Sequence, residues 1–264
     1  PPATHLVLRP SKMTAARFFD AAEHRASLPA GYNVYRRLRA EAQLDRTRED
    51  ERALLWPLHV TSYCLWDSLK LDQYHGAAQA LILSASAKTS IGLAYALKRD
   101  TTAPRVIGVT SAQNADFVRS LGAYDAVCDY GGVIDAIDAS APTVIIDMSG
   151  DGPTLGRLHE RLGDSMKKTL NVGMTHWSAG FKHPSIIVAR SEFFFAPGHI
   201  ARRMKEIGPE AFDAATAVFL DEAAAKSRAW MRIDERRGLA GLQSIYPAIL
   251  GGSADAATGV IVAM

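Results

Sequence analysis

At 264 residues, with 48% hydrophobic and 22% charged side chains and a formal net charge of +2, the chain can hold two modest lobes and carries no broad field that would favour nucleic acid. Its two cysteines, Cys64 and Cys128, exclude a disulfide framework and a four-thiolate structural zinc site, and fit a reducing, cytoplasmic setting. No apolar run approaches the roughly 18–20 residues that span a bilayer, so a membrane partner is not expected.

The chain opens abruptly on Pro1-Pro2-Ala3-Thr4-His5, without the basic or apolar stretch of a leader, which leads to the expectation that something upstream is absent. Between Lys12 and Asp50 it is polar and basic; Leu28-Pro29-Ala30-Gly31 breaks it, and Tyr32, Val34, Tyr35 and Leu38 follow at near-helical spacing. Arg36, Arg37, Arg39, Arg46 and Arg48 alternate with Glu41, Asp45, Glu49, Asp50 and Glu51, which reads as a solvated face rather than an anion patch because the signs are interspersed. Pro57 precedes an apolar stretch, 58–71, read as a helix leading into the next lobe.

From Ala77 short apolar runs alternate with helical segments, the signature of a parallel sheet with crossover helices. Strands are expected over 80–83, 105–110, 126–128, 143–147 and 169–173, with helices over 91–97 and 114–121, the second ended by Gly122. Right-handed crossovers then give an α/β, doubly wound parallel sheet of the Rossmann type, with its ligand crevice at the carboxyl ends of the strands. After Phe193-Phe194-Phe195-Ala196-Pro197 the chain reads as helical from His199 to Arg237, divided at Gly208-Pro209, and the end reads as a loop and a last strand over 260–262.

The informative segment is Ser84-Ala85-Ser86-Ala87-Lys88-Thr89-Ser90-Ile91-Gly92, between the first strand and the first helix of that sheet. A diphosphate docks there because free backbone N–H groups and the positive end of the helix dipole face it, and small residues let the backbone come close. The usual G-x-G is missing, and Gly92 stands where helix-to-strand packing leaves no room for a side chain. A triphosphate P-loop ending in Lys88-Thr89 would need a glycine where Ala87 stands. The second strand ends at Val109-Thr110-Ser111 with no acid to hold a ribose 2′-hydroxyl, so a 2′-phosphate meets no repulsion and Thr110, Ser111 or Asn114 can bond it, with Lys88 nearby. NADP is therefore preferred over NAD, although Ser and Asn at these positions also suit ordinary turns and caps.

Thr61-Ser62-Tyr63, Leu81-Ile82-Leu83, the small-residue loop to Gly92, Leu121-Gly122-Ala123, Ile146-Asp147 and Val172-Gly173 together resemble the medium-chain dehydrogenase/reductase superfamily, on its quinone-oxidoreductase side. The Ser84 to Gly92 loop, Tyr32-Asn33 and Phe193-Phe194-Phe195-Ala196-Pro197 are similar, more closely, to a branch known as a domain of unknown function. The resemblance implies a partial GroES-like substrate lobe over 1–56, entered near its end at Thr4-His5-Leu6-Val7-Leu8, a dinucleotide lobe over 57–198, and C-terminal helices over 199–264 returning to the substrate lobe. It implies that Ser86, Ala87, Lys88 and Thr89 cradle the diphosphate, and that Thr110, Ser111 and Asn114 face the adenosine ribose. Met148 and Ser149 would face the inner ribose, and Val172, Gly173, Phe194 and Phe195 the nicotinamide.

Catalytic zinc in this superfamily is held by Cys and His, whereas here Cys64 and Cys128 fall on a helix and a strand, and His59, His75 and His176 read as packed or surface residues. The expectation is thus a zinc-free, NADPH-linked reductase of an activated double bond, quinone or carbonyl in a small molecule, with no metal. Tyr63, Tyr32 and Asn33 are the polar candidates for a donor near the developing oxyanion, each with an alternative as an ordinary packed or loop residue. A non-catalytic NADP-binding sensor or interaction subunit of the same fold is the alternative, and a homodimer is the assembly considered.

Overall fold

The computed structural model describes residues 5–15, 17–37, 49–172 and 183–263, and the chain divides into two compact units. One comprises the described parts of Pro1–Ala53, Ile233–Ala254 and Gly259–Met264; the other comprises Leu54–Arg232 and Asp255–Thr258. In the first, β1 (Pro10–Ser11), β2 (Arg17–Asp20) and β3 (Val34–Arg36) form a small antiparallel sheet. The carboxylate of Asp20 accepts the N–H groups of Arg9 and Ala22, which ties the chain on either side of this sheet to the end of β2.

Helix α1 (Glu49–Leu71) starts earlier than the expected 58, because Glu49, Asp50 and Glu51 place three carboxylates against the positive end of its dipole. Pro57 lies inside it and removes one helical N–H without ending it. The next strands and helices run β4 (Gln79–Leu83), α2 (Lys88–Arg99), β5 (Arg105–Thr110), α3 (Ala115–Ser120), β6 (Ala126–Asp129) and α4 (Val133–Ala136). They continue as β7 (Thr143–Asp147), α5 (Gly152–Leu162), β8 (Met166–Asn171), β9 (Ser191–Phe193), α6 (Ala196–Ile207) and α7 (Pro209–Ser227).

The six strands pair in parallel in the order β6-β5-β4-β7-β8-β9, so the direction of winding reverses between β4 and β7. This is the doubly wound α/β sheet expected from the sequence. It explains why β4 and β7 read as unbroken apolar runs: both faces are covered. Ala80 and Ile82 of β4 face a core shared with α1, α2 and α7, while Leu81 and Leu83 face a second core shared with α4 and α5. Each fully buried Leu or Ile here contributes roughly 1.5–3 kcal/mol.

The last part of the chain departs from expectation. The helix read through Arg237 stops at Ser227, and β10 (Arg232–Arg237) pairs with β11 (Thr258–Ala263) in a two-stranded sheet, with α8 (Gly238–Leu250) between them. Arg and Glu favour helix in isolation, but strand pairing overrides that preference in Arg232–Arg237. No described helix is long and apolar enough to cross a membrane.

Candidate functional site

The switch point between β4 and β7 puts the ends of both strands side by side, Leu83 paired in register with Asp147. Above them the chain turns through Ser84, which adopts a left-handed φ of 57° where glycine would be unstrained, and enters α2 at Ala87. Ala87 is the N-cap of α2 and offers no side-chain acceptor, so the first-turn N–H groups of Lys88, Thr89 and Ser90 are left without a side-chain cap.

Two tyrosine hydroxyls brace this loop. The Tyr130 hydroxyl, at the end of β6, accepts the Ser84 N–H at 2.9 Å, and the Tyr124 hydroxyl donates to the Ala85 carbonyl at 2.8 Å. Gly108 of β5 lets Tyr124 approach: a Cβ there would stand 2.8 Å from the Tyr124 ring and 3.0 Å from the Ala85 Cβ. Burial raises the pKa of both tyrosines, so they act as neutral hydrogen-bonding groups.

The Ser86 hydroxyl accepts from Thr110 at 3.3 Å and from Asn114 at 3.2 Å, joining the loop after β4 to the turn after β5. The structure thus brings Ser86, Thr110 and Asn114 together, with Ser111 exposed beside them. Lys88 points elsewhere: its ammonium donates to the Thr258 carbonyl at 2.9 Å and the Ala256 carbonyl at 3.4 Å, and desolvation holds its pKa below the ordinary lysine range against the pull of Asp255.

After β7, Met148 and Ser149 are buried. The Met148 sulfur accepts from the Ser90 hydroxyl at 3.0 Å, and the Ser149 hydroxyl donates to Asp147 Oδ1 at 2.6 Å. Burial pushes the Asp147 carboxyl above the usual range despite these bonds and the N–H groups of Ser149 and Gly150, and among the described residues its Oδ2 has no hydrogen-bond partner. The same is true of the Oδ1 of Asn171, its register partner on β8. Val172 is half-buried beyond β8, and Gly173, like His176, lies outside the described residues.

Phe194 is buried against the His199 ring with centroids 5.8 Å apart, whereas Phe195, the N-cap of α6, is 50% exposed. Tyr63 is buried in an aromatic cluster with Trp66, Phe212 and Phe219. Tyr32 and Asn33 belong to the other compact unit. There Tyr32 is exposed, and both ends of the Asn33 amide are bonded to Arg25, at 3.0 and 3.1 Å.

Gly92 does not serve the helix-to-strand contact expected of it. A Cβ on it would meet Ser62 Oγ at 2.6 Å and the His59 ring at 2.7 Å, so it lets α2 lie close against α1. Tyr130 and Tyr124 were not singled out from the sequence, and Asp147 only within the resemblance, with no role of its own. Tyr130, directly after the apolar run ending at Cys128-Asp129, is the one whose position at a strand end gave a usable signal.

A protein-family model described as a protein of unknown function, DUF2855, matches residues 1–255. No curated protein is significantly similar in sequence to this chain. Among solved structures, a Mesorhizobium loti protein provisionally assigned as an NADPH:quinone reductase matches at 14% identity and a TM-score of 0.61, over 94% of this chain and 70% of that one. The mycobacterial protein Rv1454c, complexed with NADPH, matches at 15% identity and 0.58, over 89% and 69%. The yhdH oxidoreductase from Salmonella enterica, in complex with NADP, matches at 16% identity and 0.50, over 78% of this chain. This chain spans 60% of that oxidoreductase's length. At such identities the likeness is one of fold.

Proposed function

The chain belongs to the DUF2855 family of proteins of unknown function, and we propose that it is a zinc-independent, NADPH-linked reductase of an activated double bond, quinone or carbonyl in a small molecule. One observation carries the reading: at the switch point of the sheet, an α-helix N-terminus without a side-chain cap opens beside a hydroxyl and amide cluster, and the strand leading to that cluster ends without an acid. An uncapped N-terminus with small residues around it fits a diphosphate, and a cluster of neutral polar groups fits a 2′-phosphate that an aspartate would repel.

In this reading the backbone N–H groups of Lys88 and Thr89 hold the diphosphate at the small Ala87, and Ser86, Thr110, Ser111 and Asn114 bond the 2′-phosphate. Met148 and Ser149 contribute backbone to the inner ribose, since their side chains are engaged within the protein. Val172, Phe194 and Phe195 line the nicotinamide end, along with Gly173. NADPH supplies the hydride when bound. The Lys88 side chain, held on the 256 and 258 carbonyls, anchors that segment at the first turn of α2 rather than meeting phosphate.

Zinc independence is supported by the cysteines: Cys64 is buried in α1 with its thiol pushed up to about 12 by burial, and burial raises that of Cys128 as well. Tyr63, Tyr32 and Asn33 remain the proposed donors to the developing oxyanion. The internal commitments of Tyr63 and Asn33 favour, as a second reading, a non-catalytic NADP-binding subunit. Calorimetric titration with NADPH and NADH tests the cofactor, and NADPH oxidation across a panel of quinones and enones separates the enzyme from the sensor: turnover supports the reductase, and binding without turnover supports the second reading.

A further inference from the structure

Helix α8 carries no charged side chain and is apolar apart from Gln243, Ser244 and the Tyr246 hydroxyl, yet none of its residues is buried. A helix turns by about 100° per residue, which sorts its side chains into faces. Gly241, Ile245 and Ala248 share the half-buried side. Gly241 lies against the end of β10, since a Cβ on it would stand 3.0 Å from the Arg236 Cβ. Leu239, Leu242, Tyr246, Ile249 and Leu250 fall beside them within an arc of roughly 100°, the width of a stripe that packs against another element. They are 50%, 37%, 55%, 50% and 65% exposed.

A contiguous apolar stripe in water favours association. The compact unit that carries α8 has little core of its own to offset that exposure: among its described residues Ala22 is the single buried apolar one. The stripe leaves on the order of 500 Å² open, a patch of the size that marks an interaction surface. Two such stripes laid face to face remove about 1,000 Å² in total, the area that a specific interface has to clear.

We propose that this stripe is the contact between two copies of the chain, their α8 helices packed antiparallel about a two-fold axis. The spacing of Leu239, Leu242, Tyr246 and Ile249 is that of a seam of interlocking side chains, and it is symmetric about position 244. In an antiparallel pair Leu239 therefore meets the partner's Ile249 while Leu242 meets the partner's Tyr246, and each pair occurs twice, as a self-complementary interface requires. With no charge on the helix, two identical faces meet without like-charge repulsion, and a charged partner finds nothing on it to pair with. A helix that lies on a lipid surface carries Lys or Arg along its polar side, where α8 has Gln243 and Ser244. Beside its first turn, Arg236 pairs with Asp234 within the chain. The contact does not depend on the reductase reading.

Sedimentation equilibrium of the whole chain reads the assembly, and the parent is expected to show a reversible monomer–dimer equilibrium. Leu242→Glu and Tyr246→Lys, both at exposed positions, are each expected to weaken dimerisation about tenfold or more, because each leaves a charge unpaired in an apolar seam. Mixed in equal amounts, the two variants should dimerise again: on one side of the axis the introduced carboxylate faces the introduced ammonium, and on the other the original Leu242 and Tyr246 still meet. A parent that is monomeric at every concentration, whether it binds phosphatidylcholine vesicles or nothing, would overturn the proposal. So would a dimer that both variants leave intact, or a mixture of the two that stays monomeric. Should either variant not fold, Leu239→Gln and Ile249→Gln, which leave the helix uncharged, decide by the same loss of dimer.

Discussion

Asn114 donates its side-chain amide to the hydroxyl of Ser86 across 3.2 Å, tying the turn after β5 to the loop after β4. The bond fixes two neutral polar groups at the corner where the adenosine end of a dinucleotide lies in a sheet of this order. Thr110, itself buried, donates to the same oxygen, so the three side chains form one cluster.

Placing a carboxylate beside this cluster tests whether it takes a phosphate. Ser111→Asp is expected to weaken NADPH about tenfold or more, because two like charges about 4 Å apart near a protein surface repel by roughly 1–4 kcal/mol. NADH, which has a hydroxyl there, should change by less than about threefold. Calorimetric titration of both nucleotides reads the difference, and parallel losses would place the ribose elsewhere.

His59 and His159 are both buried, and burial lowers each pKa to about 4. In the unfolded chain each titrates near ~6.5. As pH falls from about 6.5 towards 4 the unfolded state takes up protons that the native state refuses, so stability falls by up to about 1.4 kcal/mol per pH unit for each histidine. Urea unfolding at pH 7 and pH 5 should show this loss, and His59→Leu should remove its share. An unchanged pH slope in that variant would mean that His59 is solvated or paired in solution.

Gly108→Ala is expected to cost about 1–3 kcal/mol, since its Cβ would stand 2.8 Å from the Tyr124 ring in a packed core. Tyr124→Leu in the same chain relieves the clash but also removes the bond to the Ala85 carbonyl, so only part of the loss should return. Chemical denaturation of the two single variants and the double variant measures the coupling; additive losses would show that the two side chains do not meet.

Much of the sheet was legible because its strands are buried on both faces. The apolar runs 105–110 and 143–147 carry the same bounds in the structure as in the sequence, ended by turn residues. The corner formed by Ser86, Thr110 and Asn114 was legible for a related reason: strand ends bring their following residues together in a parallel sheet. What local pattern does not carry was missed. Arg232–Arg237 reads as helix from its charges and becomes a strand through a partner some 20 residues on. Lys88 is drawn away from the expected phosphate by the Thr258 carbonyl, 170 residues distant in sequence.

Ala87→Glu tests most directly whether a diphosphate lies at the N-terminus of α2. Ala87 is half-buried at the N-cap, and a negative side chain at the start of a helix suits its dipole, so the variant should melt without ligand at about the parent temperature. A ligand raises the melting temperature only by binding the folded state. The measurement is the thermal shift produced by saturating NADPH in parent and variant: a clear rise in the parent that is lost in a well-folded Ala87→Glu is the expected result, and an undiminished rise in the variant would contradict the docking site.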